Sequence, residues 1–493
     1  MSTAEQTQDP TQRQPPSSSW RNQVTTILSE LGLVSLYHCP PDVKLLFLQR
    51  FVRLFAYGAS TLVLVTYLEA LGISKTRIGL FMTFTLVGDV CISFFLTLFA
   101  DGLGRKAVLA LGAVLMAGSG VIFALFENYY VLLVAAIFGV ISPSGNEIGP
   151  FRAIEESIVA HLTASASRSD VYAWYSLLGT AGAAFGIMTC GWAIQHLTTD
   201  MKWQPVDAYR TVFVGYAVLG LLKLVLVLFL TKNIEAEEKR GQEEPAVSQT
   251  SETTPLLGDD AADGTKPPSK ARRGIKALLP EISRESRGIM ASLCLLFALD
   301  SFGSGLAPLS WVTYFFRSRY HLSEGVLGSI FFTTAIIAAA SMLVASSLAK
   351  RFGNVNTMVF THLPSAIFLA LIPVFNDVHI SLLFLVLRAC TQSMDGPPRS
   401  AFLAAIVLPA ERTAIMGLVN VVKTTAQSLG PTLTGLLADR KLFWVAFVCA
   451  GTLKAAYDLG MLALFKNHER ERAERERLLA GRRGDGVEDE AVG

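Results

Sequence analysis

Arg53, Asp89, Asp300, Arg388, Asp395, Lys423, Lys454 and Asp458 are each embedded in a long run of apolar residues. A charge at the centre of a bilayer costs about 2.5–3.5 kcal/mol on insertion scales, so such residues face a cavity or a partner. A carboxylate in low dielectric can take up and release a proton, with Asp300 and Asp89 the candidates. Arg53, Arg388 and Lys423 can hold an anion, or equally neutralise Asp89, Asp300 and Asp395, so the charge of any ligand stays open. Asp300 paired with Arg388 or Arg53 in a permanent salt bridge is the alternative to a proton role. Arg388 and Asp395 are seven apart, hence on one helix face, and Lys454 and Asp458, four apart, are expected to pair with each other. Asp300 is followed by Ser301, Gly303, Ser304 and Gly305, small residues that can bend or break a helix.

Other chemistries find no residues. There is no Gly-Lys dipeptide and hence no Walker A loop, and no His-Glu-x-x-His run. The 7 histidines are scattered, and the 6 cysteines have neither zinc nor disulfide spacing. No catalytic set converges, and no cofactor is implied. A net charge of +2 on 493 residues points to no nucleic acid.

The elements that carry these charges are apolar helices. The chain is 51% hydrophobic and only 17% charged, with mean hydropathy +0.44. A membrane helix needs roughly 20 mostly apolar residues, and twelve stretches qualify: 44–70, 78–99, 107–126, 130–153, 171–194, 209–231, 288–316, 325–349, 356–374, 379–405, 413–437 and 442–465. Before them, residues 1–43 form a polar tail in which Val24, Ile27, Leu28, Leu31 and Val34 suggest an amphipathic surface helix. Residues 232–287, rich in Glu, Lys, Pro and Ser, read as a disordered linker between bundles 44–231 and 288–466, and 467–493 as a charged tail. An even count puts both termini on one side, and the basic linker and tails put that side in the cytosol.

The two bundles repeat. Gly149-Pro150-Phe151-Arg152 recurs as Gly396-Pro397-Pro398-Arg399, at an offset of 247. Ser74 and Gly79 recur as Ser323 and Gly328, and Ala100 and Gly104 as Ala349 and Gly353, all at 249. Duplicated halves are a standard transporter design.

Ala100-Asp101-Gly102-Leu103-Gly104-Arg105-Lys106, between the second and third stretches, resembles the signature loop of the major facilitator superfamily, Gly-x-Leu-Ala-Asp-x-x-Gly-Arg-Lys. Thr97 stands where the family has its first glycine, and the second-half copy keeps only Gly353. Asp395 to Arg399, Glu411-Arg412 and Gly430-Pro431 resemble an uncharacterised fungal-type branch. The family's antiporter Gly-Pro pair is missing from the fifth stretch, which offers Gly179, Gly182 and Gly186.

The resemblance implies an all-α membrane protein of twelve helices in two six-helix halves that alternate access to a central path. Its first, fourth, seventh and tenth helices would line that path, making Arg53, Asp300, Arg388 and Asp395 the leading site residues. Asp89 and Lys423 would flank it, with Lys454 and Asp458 structural. The signature loop implies a cytoplasmic gate of Asp101, Gly104, Arg105 and Lys106. Arg152 and Glu155 (with Glu147, Glu156 and Arg168) and Arg399 complete the gate candidates. The expected activity is proton-coupled secondary transport of a small organic solute by a monomer. A non-transporting nutrient receptor and a lipid flippase are the alternatives on the same fold. Glu252, Leu256 and Leu257 resemble an acidic dileucine signal, which implies a sorting adaptor and a vacuolar or lysosome-like membrane, with the plasma membrane as rival.

Overall fold

The computed structural model describes residues 33–139, 141, 150–164, 167–235, 284–407 and 412–490. Among these, regular structure is helical throughout. After a helical turn at Leu33–His38 come α1 (Pro41–Ala70), α2 (Lys75–Leu103), α3 (Arg105–Leu125), α4 (Tyr129–Gly139), α5 (Pro150–Leu162), α6 (Arg168–Gln195) and α7 (Pro205–Leu228). The second series is α8 (Arg284–Leu306), α9 (Leu309–Tyr320), α10 (Glu324–Phe352), α11 (Asn354–Leu371), α12 (Val378–Thr391), α13 (Gly396–Ile406), α14 (Arg412–Asp439) and α15 (Phe443–Glu490).

Seven helical spans among the described residues are long and apolar enough to cross a membrane. The expected twelve are not reached on that criterion, partly because two predicted stretches are interrupted. Each interruption has a proline at its restart, where a missing N–H costs nothing and a fixed φ suits the first turn. Pro397 stands in the first turn of α13, and Pro308 caps α9. The break after Asp300 therefore falls at Ala307-Pro308, while Ser301, Gly303, Ser304 and Gly305 stay helical. Val114, Val121, Val218, Leu221, Phe360 and Leu459 point outward and exposed, as an integral, multi-pass membrane protein requires.

The packing repeats as the sequence does. In the first half α1 packs on α6 and α3 on α7; in the second, α8 packs on α14 and α11 on α15. The halves meet through α2 against α14 and α6 against α10. Gly79 of α2 faces Gly435, and Gly328 of α10 faces Gly191, so backbone touches backbone where any Cβ would overlap the opposite helix. Gly104 and Gly353, at matching places in the repeat, adopt φ of 98° and 84°. This left-handed backbone, which favours glycine, explains why that residue survives in both copies of the signature loop.

Candidate functional site

The buried charges gather into two hubs. In the first half, Arg53 of α1 donates from Nη1 and Nη2 to the two carboxylate oxygens of Glu155 on α5, both at 2.7 Å. Glu155 Oε2 also accepts from Tyr175 of α6 at 2.5 Å, and Lys223 Nζ of α7 lies 3.8 Å from Oε1. Arg53, Glu155 and Lys223 are 1%, 0% and 1% exposed. The fork-to-carboxylate geometry is the strong one for guanidinium, and burial makes each member depend on the others. Asp89 is buried nearby, and both it and Arg53 act electrostatically on Tyr216. Glu155 is therefore no part of a surface gate. It faces the helix core, where only a counter-charge makes it tolerable.

In the second half, Asp300 of α8 is the centre. Its Oδ1 accepts from Lys454 Nζ of α15 at 2.7 Å, and its Oδ2 from Arg399 Nη1 of α13 at 3.2 Å. His362 Nε2 of α11 lies 3.9 Å from Oδ1, while its Nδ1 is 2.9 Å from Asp458 Oδ2. Arg399 also pairs with Asp395, one helical turn earlier, and lies over the rings of Phe297 and Tyr457. Lys423 sits 5.5 Å from the Phe297 ring centroid. Two expectations are corrected. Lys454 and Asp458 do not pair with each other, because Lys454 turns to Asp300 and Asp458 to His362. Asp300 meets Arg399 and Lys454, not the Arg388 or Arg53 of the permanent-bridge alternative.

Beside the second hub lies a cavity of about 340 Å³, lined by His362, Arg388, Lys454, Ser304, Gln392 and Gln427 among others. A second cavity of about 490 Å³ shares Leu309, Phe331, Thr334, Gln392 and Ser393 with it and continues between the halves to Arg50 and Arg152. At the end of the molecule where α1 finishes and α2 begins, the halves are clamped. Tyr314 donates to Glu69 at 2.6 Å, Tyr209 to Glu324 at 2.9 Å, and Ser323 to Gln195 at 2.9 Å. Asp439 accepts from the backbone N–H groups of Lys75 and Thr76 at 3.1 and 2.7 Å, and from the Thr76 hydroxyl.

The signature loop joins the start of α3 to the end of α7. The backbone N–H groups of Arg105 and Lys106 donate to Glu235 at 2.7 and 3.2 Å, placing an anion on the N-terminus of α3. Lys106 Nζ donates to the carbonyls of Leu228 and Leu230 at 2.9 and 2.5 Å, at the end of α7. These bonds stay within one half. Gly104 makes the turn, and the backbone of Asp101 lies in the last turn of α2. Arg152 pairs with Glu156 at 2.7 Å on an exposed face. Glu147, Glu252, Leu256 and Leu257 lie outside the described residues.

The profile of the Major Facilitator Superfamily matches residues 46–387 and 293–483. The chain belongs to the major facilitator superfamily. It is 37% identical over 426 residues to an uncharacterized membrane protein of Saccharomyces cerevisiae, covering 86% of this chain and 94% of that one. Its fold is similar to that of a D-xylose-proton symporter (TM-score 0.65, 15% identity, 85% of this chain and 96% of that). It is also similar to that of the nucleoside transporter NupG (TM-score 0.64, 13% identity, 87% and 100%). This major facilitator protein is thus a membrane transporter, with a small-molecule path through the bilayer. Two members of its hubs escape a reading of the sequence alone. Lys223 is a charge inside an apolar stretch, the same signal that marks Arg53. His362 carries no spacing that singles it out.

Proposed function

We propose that this protein is a proton-coupled secondary carrier of a small organic solute. In this reading the two halves, joined by the segment 232–287, rock about the cavity between them. With the termini in the cytosol, the clamps from Glu69 to Asp439 close the outer face, and the cavity opens inward past Arg152. The observation that carries the reading is the Asp300 hub at the cavity wall. His362 lines the cavity and stands between Asp458 and Asp300. Imidazole is the side chain that charges and discharges near neutral pH. A proton entering at His362 and reaching Asp300 would neutralise the one carboxylate that Lys454 and Arg399 share. Their release loosens α8 from α13 and α15, and so biases one conformation over the other, as coupling demands. No observation favours the receptor or flippase alternatives.

The test uses the full chain in sealed vesicles with an imposed pH gradient. Solute accumulation is followed by mass spectrometry for wild type, Asp300→Asn and His362→Gln. Both variants should lose gradient-driven accumulation and keep exchange of solute across the membrane. Full accumulation by Asp300→Asn would overturn the proton role. We also propose that Glu252, Leu256 and Leu257 address the carrier to a vacuolar or lysosome-like membrane through a sorting adaptor, and that it works as a monomer.

A further inference from the structure

The cavity system has a one-sided electrostatic lining. Arg50, Arg152, His362, Arg388 and Lys454 line it, and no aspartate or glutamate does among the described residues. The acids near it are already matched: Asp300 by Lys454 and Arg399, Asp395 by Arg399, and Asp458 by His362. Arg388 stands apart from this bookkeeping. Among the described residues no carboxylate lies within ion-pair distance of it, and its Nε is buried without a hydrogen-bond acceptor. An arginine that is half-buried on a cavity wall and has no counter-charge is costly, and it cannot escape by losing its proton. It stands one turn before Gln392 on the wall of the 340 Å³ cavity.

What surrounds Arg388 defines a ligand. Ser365, Ser393, Gln392 and Gln427 offer hydroxyl and amide donors, while Leu309, Val312, Phe331, Leu369 and Leu385 make apolar wall. A planar fork with one unmatched positive charge suits one planar, singly charged oxyanion. The volume fits a small molecule. We infer that the carrier's solute is a small organic carboxylate, whose carboxylate docks on Arg388 while its apolar body lies along Leu309, Phe331 and Leu385. This rests on the carrier reading above and supplies its substrate class. It also separates two roles that the sequence left merged: Arg388 for the solute, Asp300 for the hub.

The experiment compares matched probes on the purified full chain in nanodiscs. Benzoate and 4-phenylbutyrate are set against benzamide and 4-phenylbutyramide, the same bodies without the charge, and against phenyl phosphate. Binding is read by calorimetry and by thermal stabilisation. At least one carboxylate should bind and its amide should bind about tenfold to a hundredfold more weakly, the loss expected for a charge-assisted pair. Arg388→Gln should abolish the difference between acid and amide, and Arg388→Lys should restore part of it. Equal binding of acid and amide, preference for phenyl phosphate, or full carboxylate binding by Arg388→Gln would each overturn the assignment. Should Arg388→Gln not fold, the acid–amide comparison on wild type decides alone. Failure of the carrier reading is distinct: carboxylate binding without exchange across proteoliposomes sinks transport and keeps the site. Exchange of neutral or cationic solutes without carboxylate binding does the reverse.

Discussion

Replacing Glu155 by glutamine tests whether the first hub holds its half together. The carboxylate is 0% exposed, takes two 2.7 Å bonds from Arg53 and one of 2.5 Å from Tyr175, and has Lys223 at 3.8 Å. Neutralising it leaves two buried cations facing one another and a tyrosine hydroxyl with a poorer acceptor. Breaking a buried pair on one side costs about 3–5 kcal/mol. A cooperative unit of about 150–250 residues loses about 2–4 °C per kcal/mol, so Glu155→Gln should unfold roughly 6–20 °C below wild type. Arg53→Gln should cost less, because Glu155 then keeps Lys223 and Tyr175. The assay is thermal unfolding of the purified protein in one detergent, followed by tryptophan fluorescence. A Glu155→Gln transition within about 2 °C of wild type would refute the argument, since it sets the loss below about 1 kcal/mol.

Asp439→Ala removes the acceptor of two backbone N–H groups and a hydroxyl at the start of α2. Losing hydrogen bonds to a charged group, at about 1.5–3 kcal/mol each and less where water competes, should shift the clamped state toward opening by about tenfold. A cysteine at Ser323, labelled by a membrane-impermeant maleimide from the outer face, should react correspondingly faster; an unchanged rate refutes the clamp. Replacing Leu256 and Leu257 by alanine should move a tagged protein from the internal membrane to the cell surface, and an unchanged distribution removes the address.

The charged members of the site were legible because a charge among apolar residues has one physical excuse, a partner or a cavity. That logic marks Arg53, Asp300, Arg388 and Asp395 without any structure. It does not name partners. Arg53 meets Glu155 at a separation of 102 residues, and Asp300 meets Lys454 at 154. Such distances are set by helix packing, and local spacing is a poor guide to them. Lys454 and Asp458 show the point: four residues apart on one helix, they turn to different neighbours because buried counter-charges outbid a local pair. Glu155 misled for a related reason. It sits one turn after Arg152, and in sequence both look like one inner-face cluster. Yet Arg152 is exposed and Glu155 is sealed, which only the rotation of α5 determines. The small residues after Asp300 were read as the bend, but they stay helical and the chain breaks at Ala307-Pro308, a proline the apolar stretch 288–316 had run across.

The repeat offset of 247 that relates Arg152 to Arg399 also relates Arg53 to Asp300. The same place on α1 and α8 thus carries opposite charges. In the first half a carboxylate on α5 joins cations on α1 and α7; in the second a carboxylate on α8 joins cations on α13 and α15. At the centre of each hub one carboxylate ties three corresponding helices through cations on the other two. Pulling any helix away would strand a charge in low dielectric, so each half is held as one body. Motion is then directed to the surfaces between them, where glycines cross and a few hydrogen bonds clamp. The hubs differ in access. Glu155 is sealed on every side, whereas Lys454 and His362, both on Asp300, line the cavity. Under the proposed proton coupling, a proton or a solute would act on the second hub and not on the first. Coupling would then be asymmetric, with the first half the fixed wall and the second the one whose internal tie is loosened.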